Sequence, residues 1–222
     1  MTPKRHRKPY SSPALAAMLA VAVAVVGCDS DSTPTAPDGD PSPEMSVDTE
    51  DVVGQGPEGS VVAEGGATIQ RTPHGISGQV SMPTPEPGTY TYPSGPEGGA
   101  WTDEEGPPEV FTLWAFTFND PEQCEVPNEC SPGDLGDPAG GGAFAMDGVI
   151  ADGSDIALSG HVSPDSEPFP TETTGAQLEN IAGAQVILAV APHGALDPDL
   201  LPDQLRTPTG PGPDIWWLAV FE

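Results

Sequence analysis

The chain has 222 residues and carries 34 Asp and Glu against 6 Lys and Arg, for a net charge of −28. Four of the six basic residues lie within the first eight positions, so beyond residue 27 the 34 acids face only Arg71 and Arg206, a net charge of −32 with no lysine at all. Such a body excludes nucleic acid as a partner and disfavours anionic headgroups, because binding either requires Lys and Arg to neutralise phosphate.

At the N-terminus, Lys4, Arg5, Arg7 and Lys8 precede an uncharged apolar run of thirteen residues, Ala14 to Val26. This is the layout of a secretion signal, and the run is shorter than the roughly 18 to 20 residues a permanent membrane span needs. Val25-Val26-Gly27-Cys28 resembles the lipobox of bacterial lipoprotein precursors. The resemblance implies cleavage before Cys28, a lipid on Cys28, and a membrane-anchored, extracytoplasmic mature protein. Burial of acyl chains, about 0.8 kcal/mol per methylene, would hold it to the membrane. An ordinary signal peptide with an unrelated cysteine and an uncleaved anchor helix are the rival readings. Asp29 follows the cysteine and resembles an inner-membrane retention signal of enteric bacteria, but does not by itself choose a membrane.

From Cys28 to Pro108 there is no Leu or Phe, and Val and Ile together number eight. Residues 28–65 therefore read as a disordered, acidic, Pro-rich tether, stiffened by Pro34, Pro37, Pro41 and Pro43, with too little apolar surface to offset backbone ordering. Residues 66–222 read as one β-rich globular domain. Ile76 to Met82 alternates as a half-buried strand would, and Thr89 to Tyr92 is a second short candidate. Val110 to Phe118 is apolar on both faces, as a central strand covered on both sides should be. Gly142 to Ile150 and Ser154 to Ser163 are expected to pair as a hairpin across Ala151-Asp152-Gly153, Asp-Gly being a favoured turn dipeptide. Gln185 to Ala191 and Asp214 to Glu222 complete the strands. One short helix is predicted from Asp197 or Pro198 to about Leu205, with Asp197 as N-cap and Leu200, Leu201 and Leu205 packing inward. The expected fold is all-β: a single sandwich or barrel-like domain with one short helix, preceded by the tether.

With Cys28 assigned to lipid, Cys124 and Cys130 form a pair that a disulfide can close, which an exported compartment permits. A two-cysteine metal site is the rival. Three histidines follow the signal: His74, His161 and His193. If the fold brought two of them together with an Asp they could bind a divalent ion, or one could act as a general base; the other expectation is turn histidines bonded to backbone. Asp147, Asp152 and Asp155 lie around one turn and Asp134 and Asp137 in the loop after Cys130, a type of oxygen supply that calcium uses, although no EF-hand or RTX spacing is present. The charge has two further readings, adaptation to concentrated salt and an acidic cation-binding surface. No nucleophile elbow or phosphate-binding glycine loop occurs. Trp114, Trp216 and Trp217 could line a sugar-binding groove or belong to the core.

Thr112 to Cys124, then Cys130 and Asp134-Leu135, Gly160-His161-Val162, and Gly183 to Leu188 leading to His193-Gly194, resemble a segment of uncharacterised secreted bacterial β-domains. The resemblance covers roughly residues 110–222 and implies a secreted β fold without supplying an activity. Those domains often have His where this chain has Ile187, which weakens a metal site. Two function classes follow. One is a lipid-anchored, non-catalytic β domain with a binding or cell-envelope role, its protein or glycan partner unspecified. The other is an extracytoplasmic, metal-assisted or carboxylate-based hydrolase.

Overall fold

Ten strands and four short 3-10 turns, in chain order, account for the regular structure of the computed structural model, which describes residues 45–55, 59–86, 89–92, 99–100, 108–151, 153–170, 175–210, 212 and 214–222. The strands are β1 (Ser46–Gly54), β2 (Val61–Thr72), β3 (Gly75–Pro83), β4 (Thr91–Tyr92), β5 (Gly99–Ala100), β6 (Glu109–Phe118), β7 (Gly141–Ile150), β8 (Asp155–Val162), β9 (Gln185–Ala195) and β10 (Trp217–Phe221). Eight of them form one antiparallel sheet in the order β7-β6-β9-β10-β1-β2-β3-β8, and β4 pairs with β5 in a separate two-stranded sheet. The eight-stranded sheet curls into a nearly closed barrel, so the all-β, barrel-like architecture expected from the sequence is the one found. After β6, β7 and β8, the chain returns to lay β9 beside β6 on the side away from β7.

Alternation along the strands builds two apolar layers. Ile69, Val80, Phe111, Leu113, Leu188 and Phe221 are among the residues that fill the barrel. On the outside of β6, β9 and β10 a second layer gathers Trp114, Phe116, Phe118 and Ile187, covered by Leu135 and Phe169 and by the Cys124–Cys130 loop. β6 is therefore enclosed on both faces, and all ten of its residues are buried, as its two-sided apolar pattern predicts.

β7 and β8 are the two edges of the sheet and lie against each other without a hydrogen-bonded ladder. The expected hairpin between them is thus corrected. The residues flanking its turn bond elsewhere: Ala151 N–H donates to Glu109 O (2.8 Å), and Ser154 O accepts from Thr84 N–H (2.9 Å). The β6 register also shifts opposite Met146, and this bulge sets Met146 against Gly160 of β8. One side chain bridges the seam: Asp147 Oδ2 accepts from Ser159 N–H at 3.0 Å, while Oδ1 accepts from Gly148 N–H at 2.9 Å.

Two further expectations are corrected. The sheet begins at Ser46, inside the stretch read as tether to residue 65, and β2 begins at Val61. β1 contributes only Val52 to the core; it is ordered by its ladders to β2 and β10, a non-local gain that apolar content does not register. The predicted helix is two separate 3-10 turns, Pro198–Leu200 and Asp203–Leu205. Asp197 caps the first as expected, accepting from Asp199 N–H at 2.9 Å. Leu201, however, precedes Pro202 and is driven out of helical backbone to φ −76°, ψ 142°. Leu200 and Leu201 consequently remain exposed, and the residue buried there is Gln204.

Candidate functional site

Residues 1–27, where a secretion signal is expected, and Cys28 lie outside the described residues, as does Asp152. Among the described residues no helix is long and apolar enough to cross a membrane. The Cys124–Cys130 disulfide is formed, with an S–S distance of 1.97 Å, in place of the alternative two-cysteine metal site. Its loop is held by Asp134, whose Oδ1 accepts from Glu125 N–H (2.7 Å) and whose Oδ2 accepts from Ser131 N–H (2.8 Å). These bonds hold the Asp134 carboxyl below its usual range, and its lone pairs are occupied within the loop.

The fold sets the His161 ring against the His74 backbone, but no cluster among the described residues joins either to His193. His161 stands on the exposed outer face of β8. Its Nε2 donates to His74 O (3.3 Å), which leaves Nδ1 to accept from the Ser77 hydroxyl (3.0 Å). His193 is buried in the last part of β9, neither ring nitrogen has a partner among the described residues, and burial pushes its pKa down to about 4. Asp155 is exposed and accepts from the adjacent Ser154 hydroxyl (2.8 Å). Asp147 is engaged across the seam. Among the described residues no group of three or more His, Cys, Asp or Glu converges as a metal site.

Trp114 and Trp216 belong to the outer apolar layer, packing on Phe169 and Phe116. Trp217 points into the barrel against Tyr90 and Phe111. With Met82 and Ile215, Trp217 also lines an open groove of about 550 Å³ where β1 and β3 end and β10 begins.

Four polar residues that sequence reasoning passed over organise the interior. Glu109, the first residue of β6, is fully buried. The Tyr92 hydroxyl donates to Glu109 Oε1 and accepts from Gly194 N–H (2.9 Å). Desolvation raises the Glu109 carboxyl to about 7, and the Tyr90 and Tyr92 phenols are pushed up by burial and by the carboxylate beside them. Gln204 ties the 3-10 turns to β9: its Nε2 donates to His193 O (3.2 Å) and Ala195 O (2.9 Å). Asn119 clamps the two covering segments. It donates to Gly140 O and Gln177 O and accepts from the N–H groups of Glu179 and Asn180, all at 2.8 to 3.0 Å. Arg71, one of two Lys or Arg residues beyond residue 27, is buried and donates to Ile181 O (2.8 Å), with Asp48 3.9 Å away. Glu109 was hidden because an acid at a strand start ordinarily reads as a solvated end. The one available signal was its adjacency to a fully apolar run.

Chemically, Glu109, His193 and the Tyr90 and Tyr92 phenols have strongly perturbed proton affinity among the described residues, and all four are shut away from solvent. Among the described residues, solvent-accessible polar groups form concavities near Asn119 and Asn180, of about 640 Å³, and on the β2-β3-β8 face around His161, of about 490 Å³. Comparison of the chain with protein-family models, with curated proteins and with solved structures gives no match.

Proposed function

We propose that the protein is an extracytoplasmic lipoprotein, anchored through a lipid on Cys28, whose β barrel is a non-catalytic domain with a binding or cell-envelope role. The observation that carries this reading is the Cys124–Cys130 disulfide. It suits an oxidising compartment and takes up two of the chain's three cysteines, so Cys28, at the end of the apolar run, has no further cysteine in the chain to pair with. The distribution of chemistry favours binding over catalysis. The perturbed groups Glu109 and His193 are enclosed, whereas a general acid or base must reach the proton it moves. From Cys28 to the first strand at Ser46 the chain can span at most about 60 Å, at about 3.3–3.6 Å per residue, which keeps the barrel within that distance of the bilayer.

Fractionation of cells producing the full chain, with intact-mass measurement of the membrane-extracted protein, tests the reading. The expected mass is that of residues 28–222 plus acyl groups, and Cys28→Ser should shift the protein out of the detergent-extracted fraction. Recovery of a chain that retains its first methionine, or of an unmodified thiol at position 28, would refute it.

A further inference from the structure

The middle of the outer face of β2, β3 and β8 carries Thr68, Gln70, Ser77, Gln79, Ser159 and His161, and none of the nine residues lining the groove there is an acid, although Asp155 stands at the start of β8 and Asp147 bonds Ser159 N–H from across the seam. With 34 carboxylates in the chain, a concavity built solely of hydroxyl, amide, imidazole and one valine side chain is a distinct chemical surface. The face is also shaped. Gly78 and Gly160 are paired across β3 and β8, and a Cβ on Gly78 would stand 2.9 Å from Leu188 Cδ2, one on Gly160 2.6 Å from Met146 Cβ. Absence of both side chains lets the two strands settle onto the barrel interior, and the outside dips at the same place into the groove of about 490 Å³. That volume is within the range of small-ligand sites, about 300–1,000 Å³. Its floor is strand backbone held by ladders on β2, β3 and β8, and the Ser77 hydroxyl and His74 carbonyl fix the His161 ring in its Nε2–H tautomer, so the groove is preorganised.

We propose that this groove binds a segment of a neutral polysaccharide, an inference that rests on the reading of the barrel as an extracytoplasmic binding domain. Charge selects the occupant. A polyanion is repelled by a body of net charge −32, and a cation is drawn to the carboxylates elsewhere on the surface. An apolar partner would desolvate Gln70, Gln79 and the hydroxyls without pairing them. An uncharged polyhydroxylated chain supplies donors and acceptors to each of these groups.

The test uses the mature chain from position 28 with Cys28→Ser, so that lipid plays no part, titrated calorimetrically with a soluble neutral β-glucan, a neutral mannan, and a carboxymethylated form of the same β-glucan. The expected result is binding of at least one neutral polymer, weaker binding of the carboxymethylated β-glucan than of its neutral parent, and movement of the His161 ring resonances while those of His193 stay still. The near-isosteric pair Gln70→Glu and Gln79→Glu should weaken neutral-polymer binding at least about tenfold with unchanged near-UV circular dichroism; Thr89→Glu, at the barrel-end groove, should leave it intact. Failure of both neutral polymers to bind overturns the proposal, as does equal affinity for the charged and neutral glucans or indifference to the Gln pair. Self-association of the chain that the Gln pair abolishes would assign the groove to a second copy and also overturn it. These outcomes are separable from failure of the lipoprotein reading, which fractionation of the unaltered chain decides.

Discussion

Two buried ionisable groups near one end of the barrel should have opposite effects on stability as pH changes. Glu109 has its pKa raised from 4.5 to about 7. Between those values the folded state keeps a proton that the unfolded chain has released, so stability falls as pH rises, by about 3 kcal/mol over the window. His193 has its pKa depressed from 6.5 to about 4. There the unfolded chain holds a proton that the folded state lacks, so stability rises with pH, again by about 3 kcal/mol. The two nearly cancel from about pH 4.5 to 6.5, and the wild-type profile across that range should reflect only the self-repulsion of the acidic surface. Single substitutions uncover each slope. In urea unfolding at a series of pH values, in high salt to screen the surface charge, Glu109→Gln should gain stability as pH rises from 4 to 6.5. His193→Phe should lose it as pH rises from 4.5 to 7. If both variants retain the wild-type pH profile, the burial argument for these two groups is wrong.

Asn119→Ala removes four hydrogen bonds and strands two backbone N–H groups, so it should cost about 3–4 kcal/mol, read as a lower urea midpoint with faster amide exchange at Glu179 and Asn180. Cys124→Ser with Cys130→Ser should cost no more than about 2 kcal/mol, because the closed loop is short; a larger loss in thermal unfolding would show that the bridge does more than constrain its own loop. Gly160→Ala forces a Cβ to within 2.6 Å of Met146 and should destabilise by about 1–3 kcal/mol through overpacking at the seam; an unchanged melting temperature would mean that β7 and β8 part easily.

Where side-chain pattern alone decides an element, the sequence was a sufficient guide. β6 reads as a doubly covered strand because its two apolar faces have no other use, and β3 shows its half-buried alternation from Ile76 to Met82. β1 was missed because its order comes from ladders to β2 and β10, which are remote in sequence and leave no apolar trace beyond Val52. The Leu201-Pro202 break was legible in principle, since the residue before a proline resists helical backbone; the inward-facing leucines argued for a helix that this restriction prevents.

For the site, residue types at the N-terminus and the spacing of Cys124 and Cys130 carry local chemistry, and such signals are complete within a few residues. The separation of His161 from His193, the enclosure of Glu109 beneath Tyr92 and Gly194, and the uncharged groove over Gly78 and Gly160 are different in kind. Each depends on which strands become neighbours when the barrel curls, and strand order is chosen by long-range pairing that no local stretch of sequence contains. Composition and pattern alone therefore determined that this chain would carry an acidic β domain; only the nearly closed sheet decided which polar groups meet, which are buried, and which face water.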